Sequence, residues 1–270
     1  MAELLPFNRA AVVQLSTSLN EPEWMLDLRL KAWEVFASLP VPTTREEAWR
    51  RTDIRRFKLD SFGISLNGNG ATGADVPSHL AAQLTDDAAG GVLVEVNGLV
   101  KEYSLSDELR EQGVIFCDMH TAVRQHGDLV RKYFMTEAVR ADEGKFAAMH
   151  AAFWRGGVFL YVPPNVSAAA PLHSALWATS GGTFTHTLVV LDTNSEATFI
   201  DEYASPAKGE AQALHNGAIE LIVRDGASLH YASLQDFGTN VWQFNHECGR
   251  VGRDGKLDWI TSVMGSRLTK

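Results

Sequence analysis

A strand pattern that repeats about every 30 residues in the last third of the chain constrains the fold more than any other feature. Three segments, "NSEATFIDEY", "GASLHYASLQ" and "DGKLDWITSVM", can be overlaid so that Phe199, Tyr231 and Trp259 take the same position. Strand repeats of this length are typical of solenoids, in which each coil covers the open edge of the previous one. The pattern therefore predicts a solenoid in which these three aromatic side chains lie above one another.

The stretch "GAIELIVRDGASLHYASLQDFG" predicts how one coil is built. Two apolar strands are separated by a polar corner at Asp225–Gly226, which is too irregular for an ordinary hairpin. In a solenoid, these strands are two sides of one coil. Because the three repeats are imperfect, a β-sandwich with similar-looking strands remains the alternative.

The predicted secondary structure changes from mainly helical to strand-rich near Gly157. Before it, "NEPEWMLDLRLKAWEVFASLPVP" has helical periodicity, with Asn20 and Glu23 arranged as a capping box, and "GGVLVEVNGLVKEYSLS" predicts a hairpin that turns at Asn97–Gly98. After it, short strands follow one another without a further convincing helix. We therefore predict two domains: an N-terminal helical, α+β region over 1–153, with a Gly-rich linker near 63–77, and a strand-rich region over 154–270.

Composition and charge limit the partners and the location that can be expected for this protein. The formal net charge of −9 argues against nucleic acid or anionic lipid as the main partner. No apolar run is long enough to span a membrane, and no signal peptide is visible at the N-terminus. Cys117 and Cys248 are far apart and show no metal-binding spacing, which fits a reducing, cytoplasmic location.

Two enzyme hypotheses follow from motifs. Gly68, Gly70 and Gly73 form a GxGxxG, and Glu95 would be the ribose ligand of a dinucleotide-binding oxidoreductase. However, Pro77 interrupts the helix that should follow, so we interpret the glycines as a linker. The second hypothesis is a polysaccharide-active β-helix enzyme. Such enzymes carry clustered acids on one face, and the spacing of the acids in this sequence does not show a cluster. These acids are Asp192, Asp201, Glu202, Asp225 and Asp236.

The histidines of the strand-rich half do not form a metal-binding motif. None of them has HxH or HxxxH spacing, and we interpret them as surface or corner residues; they are His173, His186, His215, His230 and His246. Strand alternation sends His246 and Cys248 to one face and Glu247 to the other. From these patterns we assign no catalytic, cofactor-binding or metal-binding residue.

Several segments, in their order along the chain, resemble the SufB/SufD family of iron–sulfur cluster assembly proteins. They are "NEPEWMLDLRLKAWEVFASLPVP", "EEAWRRTDI", "GVIFCDMHTAVRQHGDLVRKYF", "KFAAMHAAFWRGGVFLYVPPNV", "ALHNGAIELIVRDGASLHYASLQDFG" and "DWITSVMGSRLTK". The resemblance implies a right-handed parallel β-helix after an N-terminal helical region. It also implies a non-catalytic scaffold that pairs with a SufB-like protein and binds a SufC-like ATPase. The iron–sulfur cluster is then handled by the complex, and a reduced flavin is a candidate cofactor.

The resemblance favours the SufD branch. SufB-like chains carry a cysteine used in sulfur transfer on the strand that ends "DEYASP" here, and the matching position is Tyr203. A phenol cannot accept persulfide sulfur. No role carries over to Cys248.

Family members are also longer than this chain. The parts implied to contact the ATPase, and later coils of the β-helix, lie beyond "GSRLTK" in those relatives. A β-helix that stops in mid-stack exposes an unpaired edge, which predicts self-association of the 270-residue chain and a lower solubility than that of a longer one.

Overall fold

The computed structural model describes residues 4–66, 77, 89–179, 181–207, 209 and 211–270. The helices are α1 (Arg9–Ser18), α2 (Glu23–Ser38), α3 (Asp107–Glu111), α4 (Met119–Gln125), α5 (Gly127–Tyr133) and α6 (Lys145–Phe153), with single 3₁₀ turns at Glu47–Trp49 and Leu59–Ser61. The first strands are β1 (Gly91–Val96), β2 (Leu99–Leu105), β3 (Ile115–Asp118), β4 (Gly157–Val162), β5 (Ser167–Trp177), β6 (Gly182–Thr183) and β7 (His186–Leu191). The remaining strands are β8 (Glu196–Ala204), β9 (Ala213–Val223), β10 (Ser228–Phe237), β11 (Val241–Val251), β12 (Lys256–Gly265) and β13 (Leu268–Thr269).

The strands form two sheets that face each other across a β-helix. One sheet has the order β12-β10-β8-β5-β1-β2, and the other has the order β13-β11-β9-β7-β4-β3. From β4 onward the chain alternates between the sheets, and the strands that stack on one another are parallel. Each coil therefore gives one strand to each sheet, in about four turns, and the prediction of a parallel β-helix is confirmed.

The aromatic register predicted from the repeats is confirmed. Tyr231 pairs with Phe199 on one side and with Trp259 on the other. Their rings lie above one another, with centroids 5.8 Å and 5.4 Å apart. Phe199 and Tyr231 are fully buried in the interior of the β-helix. Large rings at one position of successive coils thus fill the interior and fix the coil register.

The corners of the coils are held by residues with left-handed backbone. Gly226 has a φ of 70°, and Asn165 and Asn194 have φ values of 60° and 58°. Glycine and asparagine adopt this conformation at the lowest cost, and the asparagine side chain bonds locally. The Asn194 side chain donates to Asn165 Oδ1 at 3.2 Å, which joins neighbouring corners. The corner predicted at Asp225–Gly226 therefore separates β9 and β10, which lie in different sheets.

Strands from the first half of the chain continue both sheets. β1 pairs in parallel with β5, and β3 pairs antiparallel with β4. The predicted hairpin joins β1 to the edge strand β2 through Asn97 and Gly98, whose φ values of 50° and 77° are those of a type I′ turn. The boundary at 153/154 stays a prediction, and most of the predicted linker near 63–77 lies outside the described residues.

A layer of helices covers the outer face of the sheet that contains β7, β9 and β11. Buried residues of α1, α2 and α6 share one apolar core with outward-facing residues of these strands. For example, the rings of Phe146 on α6 and Phe244 on β11 stack with centroids 3.9 Å apart. None of the described helices combines the length and the apolar character that a membrane crossing requires.

The start of α2 differs from the predicted capping box. Pro22 is the N-cap residue, without a side-chain cap, and Asn20 has a φ of 51°. The reason is Glu21, whose carboxylate is bound by Arg29 at 2.6 Å in a fully buried ion pair. The guanidinium also lies over the Trp154 ring at 4.5 Å. This pair ties the beginning of α2 to the residue that follows α6.

Candidate functional site

The interior of the β-helix contains a buried carboxyl group surrounded by hydroxyl groups. Asp201 follows the buried ring of Phe199 by two residues on β8, so alternation points both side chains inward. Its Oδ1 accepts from Ser174 at 2.5 Å, and its Oδ2 accepts from Tyr203 at 2.6 Å. Oδ2 also accepts from Thr187 at 2.8 Å and from Tyr231 at 3.0 Å; these five residues are called the Asp201 cluster below.

The Asp201 cluster is closed on itself. Burial raises the pKa of Asp201, and the hydroxyl donors oppose that rise. Burial and the neighbouring carboxyl group raise the pKa of Tyr203 and of Tyr231 well above the usual value, so both phenols keep their protons and donate. Since four donors already occupy the carboxyl oxygens, the cluster has no free position for a substrate. Its hydrogen bonds connect neighbouring coils and the two sheets.

Tyr203 is the residue at which the resemblance implies a cysteine in SufB-like chains. Its side chain is buried in the interior, and its hydroxyl is shared between Asp201 and Thr187, the latter at 2.9 Å. A phenol held in this way contributes to packing and hydrogen bonding and offers no thiolate.

The prediction that the histidines are surface or corner residues is wrong for two of them. His186 and His215 are completely buried, and burial lowers the pKa of each to about 3. His230 follows the prediction, since it is exposed and its Nδ1 lies 2.9 Å from Asp258. His173 and His246 have intermediate exposure. Within the described ranges, no group of three or more His, Cys, Asp or Glu side chains is arranged to hold a metal ion.

A second buried polar system joins α6 to the β-helix. His150 Nε2 lies 3.0 Å from His186 Nδ1, and His186 Nε2 lies 3.0 Å from Glu220 Oε2. Sequence reasoning missed His150 and Glu220. A signal exists for both, because each is the one ionisable residue in an apolar run, "FAAMHAAF" and "AIELIV". A polar residue in such a position requires a buried partner.

The two cysteines lie far apart in the same sheet. The pairing of β3, β4, β7, β9 and β11 places Cys117 and Cys248 on the same row, four strand spacings apart, or about 19 Å. Cys117 is buried, which raises the pKa of its thiol to about 12. Cys248 is partly buried against the core of the helical layer. The two thiols therefore cannot form a disulfide within this fold.

The structure places some of the residues on which the two enzyme hypotheses depend. The glycines of the GxGxxG lie outside the described residues. Glu95 is 3% exposed, and its Oε2 accepts from the Gly157 amide at 2.8 Å, so it is not placed to bind a ribose. Of the five predicted acids, Asp201 faces the interior, and its neighbour Glu202 faces outward by alternation. Asp192 and Asp225 lie in corners between strands. Asp236 on β10 faces outward like Glu202 on the neighbouring strand β8, so the five acids are divided among the interior, the outer face and the corners.

The most exposed apolar surface lies on β12, the edge strand of its sheet in this chain. Ile260 is 66% exposed, Val263 52% and Met264 49%. Val263 lies on the same side of β12 as Trp259, toward the interior, whereas Ile260 and Met264 point outward. Among the strands that the structure describes, β12 pairs with β10 alone. This strand is therefore the candidate interaction site of the described chain.

Comparisons with known proteins identify the family of this architecture. Residues 13–173 match the model of the SufBD protein N-terminal region, and residues 175–270 match the SufBD core domain of the SUF system of iron–sulfur cluster assembly. The chain is 34% identical over 252 residues to the iron–sulfur cluster assembly protein SufD of Bacillus subtilis, covering 91% of this chain and 56% of that protein.

A second group of relatives supports the same assignment. An iron–sulfur cluster assembly SufBD family protein of Staphylococcus epidermidis is 30% identical over 273 residues, covering 96% of this chain and 57% of the relative. The chain thus spans a little over half the length of the curated relatives it matches. Because the two family models together cover nearly the whole sequence, the chain belongs to the SufBD family of iron–sulfur cluster assembly proteins and is similar to SufD.

Proposed function

We propose that this chain is a non-catalytic scaffold subunit of a SufBCD-type iron–sulfur cluster assembly complex, located in the cytoplasm. In its full-length form, it pairs in this role with a SufB-like protein and a SufC-like ATPase. The observation that carries the proposal is the match of the chain to both the N-terminal region and the core domain of SufBD proteins.

The chemistry of the described residues supports a scaffold. The interior carboxyl group of Asp201 is occupied by four hydroxyl donors, and Tyr203 stands at the position of the expected cysteine. The thiol of Cys117 is buried and protonated. Such groups stabilise a stack of coils, whereas sulfur transfer requires an accessible thiolate.

We further propose that the iron–sulfur cluster is handled by the assembled complex, with a reduced flavin as a candidate cofactor. Flavin absorbance of the complex, purified from cells under anaerobic conditions, tests the second part. A complex without flavin that still delivers clusters to an apo acceptor protein would remove the flavin from the proposal.

Affinity purification of the native protein tests the scaffold role. The chromosomal copy is tagged at its N-terminus, and the purified material is analysed by native mass spectrometry. We expect the bait together with a SufB-like protein and a SufC-like ATPase in defined stoichiometry, because a scaffold acts only when it is assembled. An unrelated cytoplasmic protein with the same tag is the control for nonspecific capture.

Two results would contradict the proposal. The first is a bait that purifies without either partner, which would mean that the family fold is kept while the assembly role is lost. The second is ATP hydrolysis, or turnover of a polysaccharide or a nicotinamide cofactor, by the purified chain alone.

A further inference from the structure

A continuous chain of hydrogen bonds runs from the helical layer into the β-helix. His150 on α6, His186 on β7 and Glu220 on β9 are each 0% exposed. Their successive contacts are 3.0 Å each, between His150 Nε2 and His186 Nδ1 and between His186 Nε2 and Glu220 Oε2. At the other end, His150 Nδ1 lies 3.0 Å from the backbone carbonyl oxygen of Asn216. These three side chains are called the His–His–Glu chain.

The carbonyl group of Asn216 at one end determines which atom donates and which accepts in each hydrogen bond of the His–His–Glu chain. A carbonyl oxygen only accepts, so His150 must carry a proton on Nδ1. One proton must also lie between His150 Nε2 and His186 Nδ1, and one must lie between His186 Nε2 and Glu220 Oε2. In any other arrangement two lone pairs, or two N–H groups, would face each other at 3.0 Å in a buried site.

Three contacts therefore need three protons. Two neutral imidazoles and one carboxylate supply only two, because a neutral imidazole carries a single N–H and a carboxylate carries none. The chain closes only when it holds one additional proton, either on Glu220 or on an imidazole. In both cases the net charge of the three side chains is zero, which is the state that burial favours.

The His–His–Glu chain holds a segment of the helical layer in place. The Glu220 carboxyl group accepts from the Met135 amide at 2.7 Å and from the Val139 amide at 3.0 Å. Between these residues, Glu137 contacts Arg224 through its side chain at 3.1 Å and accepts from Arg250 through its carbonyl group at 2.7 Å. We propose that the His–His–Glu chain retains one proton beyond those of two neutral imidazoles and a carboxylate, and that this proton locks α6 and the 134–139 segment onto the β-helix.

The surroundings of the His–His–Glu chain favour its neutral form. Burial lowers the pKa of His150 well below the usual value and raises the pKa of Glu220 to about 7, although the backbone amides that bind Glu220 oppose the rise. Ionisable groups also face the chain from β9, β11 and the 134–139 segment, namely His215, His246 and Glu137. Because burial disfavours an imidazolium at His150 and at His186 and raises the pKa of Glu220, we place the additional proton on Glu220.

The sign of the pH dependence follows from this placement. A carboxyl group whose pKa is higher in the folded protein stabilises the fold fully below its unfolded pKa, and this contribution is lost as the pH rises through the folded value. For Glu220 the window runs from the ordinary value of 4.5 to about 7. Within it, Glu220 takes up one proton on folding, which by itself changes the unfolding equilibrium constant about tenfold per pH unit. The buried neutral histidines release protons on folding and contribute with the opposite sign, so the Glu220 contribution is measured as a ratio to a Glu220 variant.

Chemical denaturation of wild type and Glu220→Gln across this window tests the proposal. The amide carries N–H donors at every pH, so the carboxyl titration is absent in the variant. We expect the unfolding constant of wild type, divided by that of Glu220→Gln, to rise about tenfold per pH unit between pH 4.5 and 7. The matched control is Glu137→Gln, in the same segment but outside the chain, for which this ratio should stay flat. A flat ratio for Glu220→Gln would overturn the proposal.

A second measurement is made on the wild-type protein, so it does not depend on whether a variant folds. Nitrogen-15 NMR of histidine-labelled wild type distinguishes imidazole tautomers, with assignment through His150→Gln. We expect His150 and His186 to be neutral at pH 6 and protonated on Nδ1, with both Nε2 atoms free of protons. A His150 protonated on Nε2 would contradict the direction of the chain and overturn the proposal.

Discussion

At the scale of single residues, the Asp201 cluster shows how a buried carboxyl group is satisfied inside this β-helix. Asp201 is buried as an acceptor for four hydroxyl groups, drawn from both sheets and from three neighbouring coils. A buried polar group costs free energy when it lacks a partner, and hydrogen bonds to a charged group contribute more than neutral ones. The Asp201 cluster therefore specifies which coils stack and in which register.

Replacement of Tyr203 by phenylalanine tests the Asp201 cluster. The change removes one donor to a buried carboxyl group and keeps the ring, so we expect the free energy of unfolding to fall by about 1.5–3 kcal/mol. Urea denaturation monitored by circular dichroism measures the loss.

Tyr161→Phe is the matched control for this prediction. The Tyr161 hydroxyl donates to Asp192 at 2.9 Å, but the residue is only partly buried at the surface. The loss should therefore stay within about 1 kcal/mol, because water replaces the lost partner. Equal losses in the two variants would mean that the interior hydrogen bond contributes no more than a surface one.

At the scale of secondary-structure elements, the coil repeat could be predicted because it depends on local patterns. Strand alternation and the spacing of Phe199, Tyr231 and Trp259 follow from the packing of side chains on neighbouring coils, which recurs along the sequence. The corner at Gly226 was visible for the same reason, since its left-handed backbone requires a particular residue type.

Contacts between distant elements could not be predicted in the same way. The ion pair between Glu21 and Arg29 displaces the expected cap of α2, and it is stabilised by Trp154, which is remote in sequence. Likewise, the partners of His186 come from α6 and β9. Single-sequence patterns show that a polar residue lies in an apolar run, but only the packing of elements shows which residue satisfies it.

Replacement of Phe199 by alanine tests the aromatic stack. The ring is fully buried between Phe116 and Tyr231, with centroids 6.1 Å and 5.8 Å away, so its removal leaves a cavity in the interior. We expect a loss of about 3–5 kcal/mol in the free energy of unfolding. Guanidinium denaturation gives this value, provided that the slope is unchanged.

The adjacent residue provides the control for the aromatic stack. Ile200 follows Phe199 on β8 but points outward and is partly exposed, so Ile200→Ala should cost less than about 1.5 kcal/mol. If the two variants lose similar amounts, the interior stack does not carry the stability that we assign to it.

At the scale of the whole molecule, the two ends of the six-stranded sheet differ in what they expose. One edge is β2, which closes on β1 as an antiparallel hairpin, and the other is β12, which extends the parallel stack. This chain covers only 56% and 57% of the lengths of two of its relatives. A parallel edge with exposed apolar side chains is a template for another strand. We predict that a second copy of the 270-residue chain occupies that edge.

Self-association of the 270-residue chain through β12 is therefore expected, and Val263→Lys tests it. A lysine near the interior side of the edge strand places a charge where a second coil would stack, so sedimentation velocity should show concentration-dependent association for wild type and a monomer for the variant. Val100 on β2, 42% exposed at the opposite edge, is the matched control, and Val100→Lys should associate like wild type. A wild-type chain that remains a monomer at high concentration would show that the β12 edge is not adhesive. Association that persists in Val263→Lys but disappears in Val100→Lys would move the contact to the other end of the sheet.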